Sequence, residues 1–409
     1  MESQNHVAII GQGYVGLPLA IELVKSGYTV FGIDRNELLI ANLLKGISHL
    51  EEVTNEDLIQ LQGSKKYYPS VDFQNVSQCA TIVICVPTPL DEGGNPDLDF
   101  LISAAQSLTQ FVMPGTLIIN ESTSFPGTLR EVIFPIFPEQ IRSSLHFAIA
   151  PERINPGSSQ FSFKEIPRVV SGMSQEATLR AKVFYESLNL PVKIVSSPEV
   201  AEYAKLLENS FRFINIGFIN ELAELTACTG VDIFEVIDAA SSKPFGFMPF
   251  FPSIGVGGHC IPVDPIYLSY YASRHNKKMD SIRIAENTNS NIHEFTISRI
   301  KSLLGVENRI LIYGVAYKEG VRDLRESPSL LLMDKLSDEG FQVFYFDDLI
   351  DNVEGYKVFD SDAEYDLMVY CHGRSILRDL LTSQKIKDIL DCSGNLELSA
   401  KVHRLFSLR

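Results

Sequence analysis

The chain has 409 residues, 45% of them hydrophobic and 21% charged, with a formal net charge of -16. That length suits two or three domains and that composition a folded soluble protein, which excludes disorder, collagen-like repeats and a small disulfide scaffold. The negative charge argues against a nucleic-acid partner, because phosphates need a basic face, and an anionic small molecule would have to meet local Lys and Arg. Six cysteines (Cys79, Cys85, Cys228, Cys260, Cys371, Cys392) form no C-x-x-C pair and no zinc-spaced cluster with histidine. Reduced thiols, no metal and a cytoplasmic setting are the expectation. No apolar run approaches the ~18–20 residues of a membrane helix, and the residues before His6 leave no room for a signal peptide.

The first elements are a short apolar run at His6–Ile10, the turn Gly11-Gln12-Gly13-Tyr14-Val15-Gly16, a helical pattern ending at Gly27, and a second run, Tyr28–Ile33, closed by Asp34. Strand, glycine turn, helix, strand and acid in that register open a doubly wound α/β sheet. Gly11 permits the tight turn, Gly13 lets the backbone approach a pyrophosphate, and Gly16 allows close helix–sheet packing. The anion would sit on the helix N-terminus, and the Asp34 carboxylate would accept the adenosine ribose hydroxyls, which favours NAD over NADP. Arg35 keeps a 2′-phosphate open as the alternative. Further buried strands are expected at Thr81–Val86, Thr116–Asn120 and His146–Ala150, and the first domain closes near Val195. Two segments follow strand ends, where open α/β sheets bind ligands: Glu121 to Thr128 (ESTSFPGT) and Pro151 to Gly157 (PERINPG). Turn-and-cap chemistry explains their polar residues equally well.

Residues 199–228 contain no Pro and one Gly and predict one long helix, a spine or a subunit contact. Lys205 and Asn209, four apart, share a face with Glu202 and Arg212; a solvated stripe is the simpler reading, an oxyanion-facing lysine and amide the sharper one. Helices follow at Val231–Ala240 and Pro265–Arg274. Between them, Gly255-Val256-Gly257-Gly258-His259-Cys260 sets one cysteine in a glycine-rich loop, with Asp264 four residues on. A thiolate there could hold a carbonyl covalently, with Asp264 as partner base or as a helix cap; spacing alone leaves nucleophile and structural loop both open. His259 is adjacent to Cys260, so its side chain diverges and suits packing or hydrogen bonding. A second α/β unit begins at Arg309, with a helix near Ser329–Glu339 and strands at Phe341–Phe346, Asp366–Tyr370 and Ile389–Leu390, but without a second G-x-G-x-x-G. Lys318, Arg322, Asp323, Arg325 and Glu326 cluster after its first strand, where a cation could meet phosphate.

Seven blocks in order (GQGYVGLP, CVPTP, ESTSFPGT, PERINPG, AEYAKLLENSFRFINIGFINELA, GVGGHCIPVDPIYL and YKEGVRDLRESP) resemble the UDP-glucose/GDP-mannose dehydrogenase family over nearly the whole chain. The wording PERINPG, KPFGFMPF and GGHCIPVDP is similar to the branch acting on UDP-N-acetylhexosamines, UDP-N-acetylglucosamine (UDP-GlcNAc) above all.

The resemblance implies an α/β fold of two Rossmann-like doubly wound domains joined by a long central helix and a helical middle domain. The boundaries are 1–195 for NAD, 196–300 for dimerisation and the cysteine loop, and 301–409 for the UDP-sugar. It implies a four-electron oxidation of the sugar C6 hydroxyl to a carboxylate by two NAD in succession, in a homodimer or higher homo-oligomer with no membrane partner. Cys260 would hold the aldehyde as a thiohemiacetal and then a thioester. Asp264 would act as base or water-positioning group, Lys205 and Asn209 would steady alkoxide-like charge, and Thr123 and Glu152 would lie near the reacting carbon and an ordered water. Gly11, Gly13, Tyr14, Val15, Gly16, Asp34, Pro87, Thr88, Ser122, Thr123 and Arg325 would contact NAD. Glu152, Arg153, Lys205, Asn209, Phe251, Gly257 and Lys318 would contact the sugar nucleotide.

Departures from the family pattern stand at Leu39, at Pro252-Ser253-Ile254-Gly255, at Cys371-His372-Gly373-Arg374 and at Asp391-Cys392-Ser393-Gly394-Asn395, where a phosphate-facing cation is expected and Arg374 could compensate. UDP-ManNAc, UDP-GalNAc and UDP-glucose remain alternative substrates. A two-electron hydroxyacid dehydrogenase and a non-catalytic NAD- or UDP-sugar-binding protein are the competing readings.

Overall fold

Runs of β-branched and aliphatic residues bounded by glycine or acid form the strands, and the scarcity of polar residues within them follows from burial on both faces. The computed structural model describes residues 5–153, 163–304, 308–373, 375–397 and 399–407. The chain divides into two units, residues 1–208 with 266–277 and residues 209–265 with 278–409.

The first unit is built on β1 (His6–Ile10), β2 (Thr29–Ile33), β3 (Tyr67–Ser70), β4 (Thr81–Ile84), β5 (Leu117–Asn120), β6 (His146–Ile149), β7 (Arg168–Gly172) and β8 (Val192–Ile194). They form one sheet in the order β3-β2-β1-β4-β5-β6-β7-β8. Neighbours are parallel except β6 and β7, which are antiparallel. Strand order reverses between β1 and β4, so the crevice at their carboxyl ends is the switch point where such sheets take ligands. Beneath it Val7, Ile9, Leu17, Leu23, Val30 and Tyr185 join sheet and helices in one core. Truncating such a side chain, Leu17→Ala for instance, costs about 2–5 kcal/mol.

The second unit repeats the scheme. Strands β9 (Arg309–Tyr313), β10 (Gln342–Phe346), β11 (Lys357–Val358), β12 (Tyr365–Tyr370), β13 (Ile386–Asp391) and β14 (Val402–Arg404) lie in the order β11-β10-β9-β12-β13-β14. All are parallel. Alternation along β9 sends Ile310 and Ile312 into one core and Leu311 and Tyr313 into another. The long helix Pro198–Thr229 starts in the first unit and continues in the second, where it is joined by helices Ile233–Ser241 and Asp280–Leu303. A Cβ on Gly217 would lie 2.8 Å from that of Ala285, so the glycine is what lets these two helices touch. Nearby the buried Asn220 and Asn289 amides pair at 3.0 Å, and Asn220 also accepts the Ser253 N–H at 2.9 Å.

Two Rossmann-like sheets with a helical middle region are what the sequence predicted. The long helix exceeds its predicted span by one residue at each end. Five strands were not predicted. β3 carries Pro69 on a four-residue strand, and β8, β11 and β14 are two or three residues long at sheet edges or ends. β7 opens on an arginine. The 24-residue helix Asp280–Leu303 was also missed, because its apolar positions are interrupted by Asn, Thr and Ser. Ile154 to Gly157 of PERINPG, and Arg374, lie outside the described residues.

Candidate active site

At the switch point of the first sheet the glycines divide by physical role. Gly11 has φ +96°, and a Cβ there would lie 2.5 Å from the Cys85 carbonyl oxygen; one on Gly16 would run into the Gly11 carbonyl. Both positions exclude any side chain. A Cβ on Gly13 would meet nothing within 4 Å, so its backbone is open to an approaching ligand. The helix Gly16–Lys25 has no acidic residue in its first turn, which leaves its N-terminal N–H groups and dipole suited to an anion.

Asp34, at the end of β2, accepts the Gln12 N–H at 2.8 Å on one oxygen and the Asn36 N–H at 2.9 Å on the other. Each oxygen retains a lone pair for a ribose hydroxyl. The open Gly13 backbone and this carboxylate fit a dinucleotide. Arg35 lays its guanidinium on the Phe100 ring, 4.2 Å from the centroid. Tyr14, Val15 and Thr88 are half-buried and Pro87 is exposed, while Leu39 packs against the first core.

Sequence reasoning missed Gln12. Its buried side chain donates to the Ile9 and Gly11 carbonyls at 3.1 Å each and accepts the Tyr67 hydroxyl at 2.7 Å, so it holds the glycine turn from below. Nothing in G-x-G-x-x-G marks that position.

Beyond β5, the Ser122 hydroxyl donates to the Val86 carbonyl at 2.7 Å, and the Asn120 side chain grips the Ser122 backbone through N–H and carbonyl alike. Thr123 follows, half-buried. The stripe on the long helix is no solvated face: Glu202, Lys205 and Asn209 are buried and only Arg212 is exposed. Glu202 accepts the Gly127 N–H at 2.6 Å and the Leu129 N–H at 3.1 Å, anchoring the ESTSFPGT segment. Burial pushes its carboxyl above the usual range, and the two N–H donors pull the other way. Glu152 takes the Arg153 N–H at 2.6 Å on one oxygen and the Arg168 guanidinium on the other. The Arg153 side chain forks onto Glu208 at 2.6 and 3.0 Å.

In the second unit the cysteine loop lies against the segment after β9. A Cβ on Gly257 would fall 2.6 Å from the Glu326 carbonyl and one on Gly258 2.7 Å from the Tyr317 ring, while the Gly258 N–H donates to the Arg325 carbonyl at 3.1 Å. Cys260 is half-buried there. The Asp264 N–H closes back on the Cys260 carbonyl at 2.9 Å, and the buried Asp264 carboxylate accepts the Asn209 amide at 2.5 Å. His259 turns to Arg325, its Nδ1 lying 3.1 Å from the guanidinium. Arg325 also forks onto Asp323 at 2.6 and 3.0 Å. Burial raises the Asp323 carboxyl, but these hydrogen bonds outweigh it and hold the group below its ordinary value.

The second sheet builds its own nucleotide turn without the fingerprint. Gly314 has φ +94°, and a Cβ there would lie 2.6 Å from the His372 carbonyl. Asp347, after β10, accepts the Val315 and Ala316 N–H groups at 2.7 and 2.9 Å, as Asp34 does for Gln12. An acid closing the second strand of the unit was the available signal. Lys318 is half-buried on this turn, and Phe251 is exposed. At the departure after β13, Asp391 accepts the Ser393, Gly394 and Leu396 N–H groups, so it organises a turn. Among the described residues no group of three His, Cys, Asp or Glu is placed to hold a metal, and no helix is long and apolar enough to cross a membrane.

Three family models match in order: residues 5–189 the NAD binding domain of the UDP-glucose/GDP-mannose dehydrogenase family, 199–291 its central domain, and 311–384 its UDP binding domain. The chain is 35% identical to UDP-N-acetyl-D-glucosamine 6-dehydrogenase of Pseudomonas aeruginosa over 83% of this chain and 82% of that protein. It is 32% identical to UDP-N-acetyl-D-mannosamine dehydrogenase of Methanocaldococcus jannaschii over 95% and 92%. The solved UDP-D-ManNAc dehydrogenase of Pyrococcus horikoshii superposes with a TM-score of 0.88 at 28% identity, covering 98% of this chain and 99% of that one.

Proposed function

Since the chain belongs to the UDP-glucose/GDP-mannose dehydrogenase family of NAD-dependent nucleotide-sugar dehydrogenases, we propose that it oxidises the C6 hydroxyl of a UDP-N-acetylhexosamine, UDP-GlcNAc first, to the uronate. The observation that carries this reading is the buried Asn209–Asp264 pair tied by one backbone hydrogen bond to Cys260. Such an arrangement is wasted on a two-electron alcohol oxidation but suits a covalent hold between two of them.

NAD, when bound, supplies the hydride acceptor for each oxidation. The open backbone at Gly13, the helix N-terminus behind Gly16 and the Asp34 carboxylate bind and orient it, with Tyr14, Val15, Pro87, Thr88, Ser122, Thr123 and Arg325 as further contacts. Lys205 and Asn209 offer positive charge and an amide N–H to the oxyanion that forms at C6. The Cys260 sulfur adds to the aldehyde carbon, and oxidation of that thiohemiacetal leaves a thioester. Asp264 takes a proton from the attacking water, the C–S bond breaks, and the thiol is restored as the carboxylate leaves. Glu152 and Thr123 position that water and the reacting carbon. Arg153, Phe251, Gly257 and Lys318 are assigned to the sugar nucleotide, with Arg153 set by its Glu208 fork.

The domains on this reading are 1–195 for NAD, 196–300 in the middle and 301–409 for UDP. The enzyme is a cytoplasmic homodimer or larger homo-oligomer. A UDP-ManNAc substrate is the second reading, favoured by the M. jannaschii relative and its coverage. The test is stoichiometry: purified protein with limiting UDP-GlcNAc and excess NAD should form two NADH per sugar consumed. One NADH would refute the covalent hold, and turnover confined to UDP-ManNAc would select the second reading.

A further inference from the structure

Behind Glu152 stands a group of buried ionisable side chains that the reaction above leaves unused. Glu121, immediately after β5, and Arg168, the first residue of β7, are both almost wholly buried. One Glu152 oxygen meets Arg168 Nη1, and a Glu121 oxygen lies 3.8 Å from the same nitrogen. The other Glu121 oxygen accepts the Tyr185 hydroxyl at 2.5 Å, and the Cys85 sulfur is 3.9 Å from the first. Two carboxyls therefore share one buried guanidinium.

Charge decides what this cluster holds. With both carboxyls ionised the pair sets two negative charges against one guanidinium, and burial leaves their mutual repulsion poorly screened. One proton shared by the pair removes that penalty. Burial is the main cause that raises Glu121 to about 7; the neighbouring Glu152 charge adds to it, while Arg168 and the Tyr185 hydroxyl oppose it. Burial drives the Cys85 and Tyr185 groups well above neutrality, so neither titrates in this range.

We propose that Glu121 and Glu152 work as a carboxyl pair clamped by Arg168, in which Glu121 is a positioning residue that stores the proton Glu152 collects. This rests on the reading of Glu152 as a group that faces the reaction. As the sugar O–H bond breaks, its electron pair closes the C=O bond and the C–H hydride passes to NAD. The released proton bonds to a Glu152 oxygen and passes to Glu121, whose carboxyl faces the same Arg168 nitrogen, which leaves Glu152 a carboxylate for the second oxidation. Arg168 keeps both oxygens aligned and the cluster neutral once the proton has moved.

The test is Glu121→Gln in the full-length enzyme, with kcat followed against pH. The wild type should show an acid limb near neutrality, because the loaded pair cannot accept. The variant should keep KM for NAD and UDP-sugar, and lose kcat by about 10- to 100-fold, the lower range for a positioned acid–base group. Its acid limb should fall by more than about one pH unit, since Glu152 then faces Arg168 without a like-charged neighbour.

Tyr185→Phe removes a hydrogen bond that favours the Glu121 carboxylate and should move the limb upward; it carries the test if Glu121→Gln does not fold. A wild-type pH profile in either variant, whatever its kcat, would overturn the proposal and leave Glu121 a packing residue. Infrared difference spectra between pH 5.5 and 8.5 read the shared proton without turnover: a protonated-carboxyl band present in the wild type and absent from Glu121→Gln is expected. A missing band in the wild type overturns the pair. A wild type that keeps the band but turns over no UDP-sugar overturns the functional reading and, with it, only the relay.

Discussion

The Asn209 side chain donates to the Asp264 carboxylate at 2.5 Å, and the Asp264 backbone N–H returns to the Cys260 carbonyl at 2.9 Å. One helix residue thereby fixes the acid, and the acid fixes the loop that bears the thiol. Asn209→Leu keeps the volume but strips the acid of its amide, a loss of about 1–3 kcal/mol. A melting temperature lower by several degrees and a reduced kcat with unchanged KM for NAD are expected; wild-type kcat would confine the pair to a structural role.

Cys260→Ser should lower the complete oxidation on the order of 10³-fold or more, as removal of a nucleophile does. Loop geometry is maintained by Gly257 and Gly258 against Tyr317 and Glu326, so folding should be untouched. Quenched-flow product analysis should find aldehyde rather than uronate. Retention of a tenth of the wild-type rate would move the covalent step to another residue.

Gly13 and Gly16 should behave oppositely. Gly16→Ala forces a Cβ into the Gly11 carbonyl and should destabilise the first unit even without ligand. Gly13→Ala meets open space, so melting should be unchanged while the Kd for NAD rises about tenfold or more, a loss above 1.4 kcal/mol. Calorimetry with NAD and a thermal melt on each variant separate these outcomes, and equal melting losses would show that Gly13 is architectural.

Glu202→Ala leaves the Gly127 and Leu129 N–H groups without their acceptor in a buried place, at about 1–3 kcal/mol for each unsatisfied group. Hydrogen exchange should rise in residues 122–129 before it rises in β5. Uniform exchange across both would place the anchor elsewhere.

The long helix exposes Val200, Tyr203, Leu207, Phe211, Phe218 and Leu225, a sustained apolar stripe at helical spacing. On the homodimer reading proposed above, Phe218→Glu should convert dimer to monomer in light scattering after size exclusion. An unchanged mass would assign the subunit contact to another surface.

What could be read from the chain followed from short-range physics. The strand–glycine–helix–strand–acid register at residues 6–34 and the Pro-free run 199–228 declare themselves because each is set by local backbone demands. The ordered motif blocks then carried the family. Around the nucleotide turns and the site, three things escaped. Gln12 supports the turn through a side chain that any residue could replace in the pattern. Asp347 closes a nucleotide turn that has no fingerprint. Glu121, Arg168 and Tyr185 meet only because β5, β7 and the following helix converge, a consequence of tertiary packing that no local period records. The polar stripe Glu202–Lys205–Asn209 was ambiguous for the same reason, since its burial is decided by what covers the helix.

Asp34 and Asp347 each tie a nucleotide turn shut from within. Neither turn depends on its ligand for its shape, so a dinucleotide can depart and another arrive without the backbone melting and re-forming. On the two-oxidation reading this matters most midway, when reduced cofactor must be exchanged for fresh while the sugar stays tethered to sulfur. A preformed cradle makes that exchange a matter of diffusion rather than refolding, and shortens the interval in which water can strip the tether early.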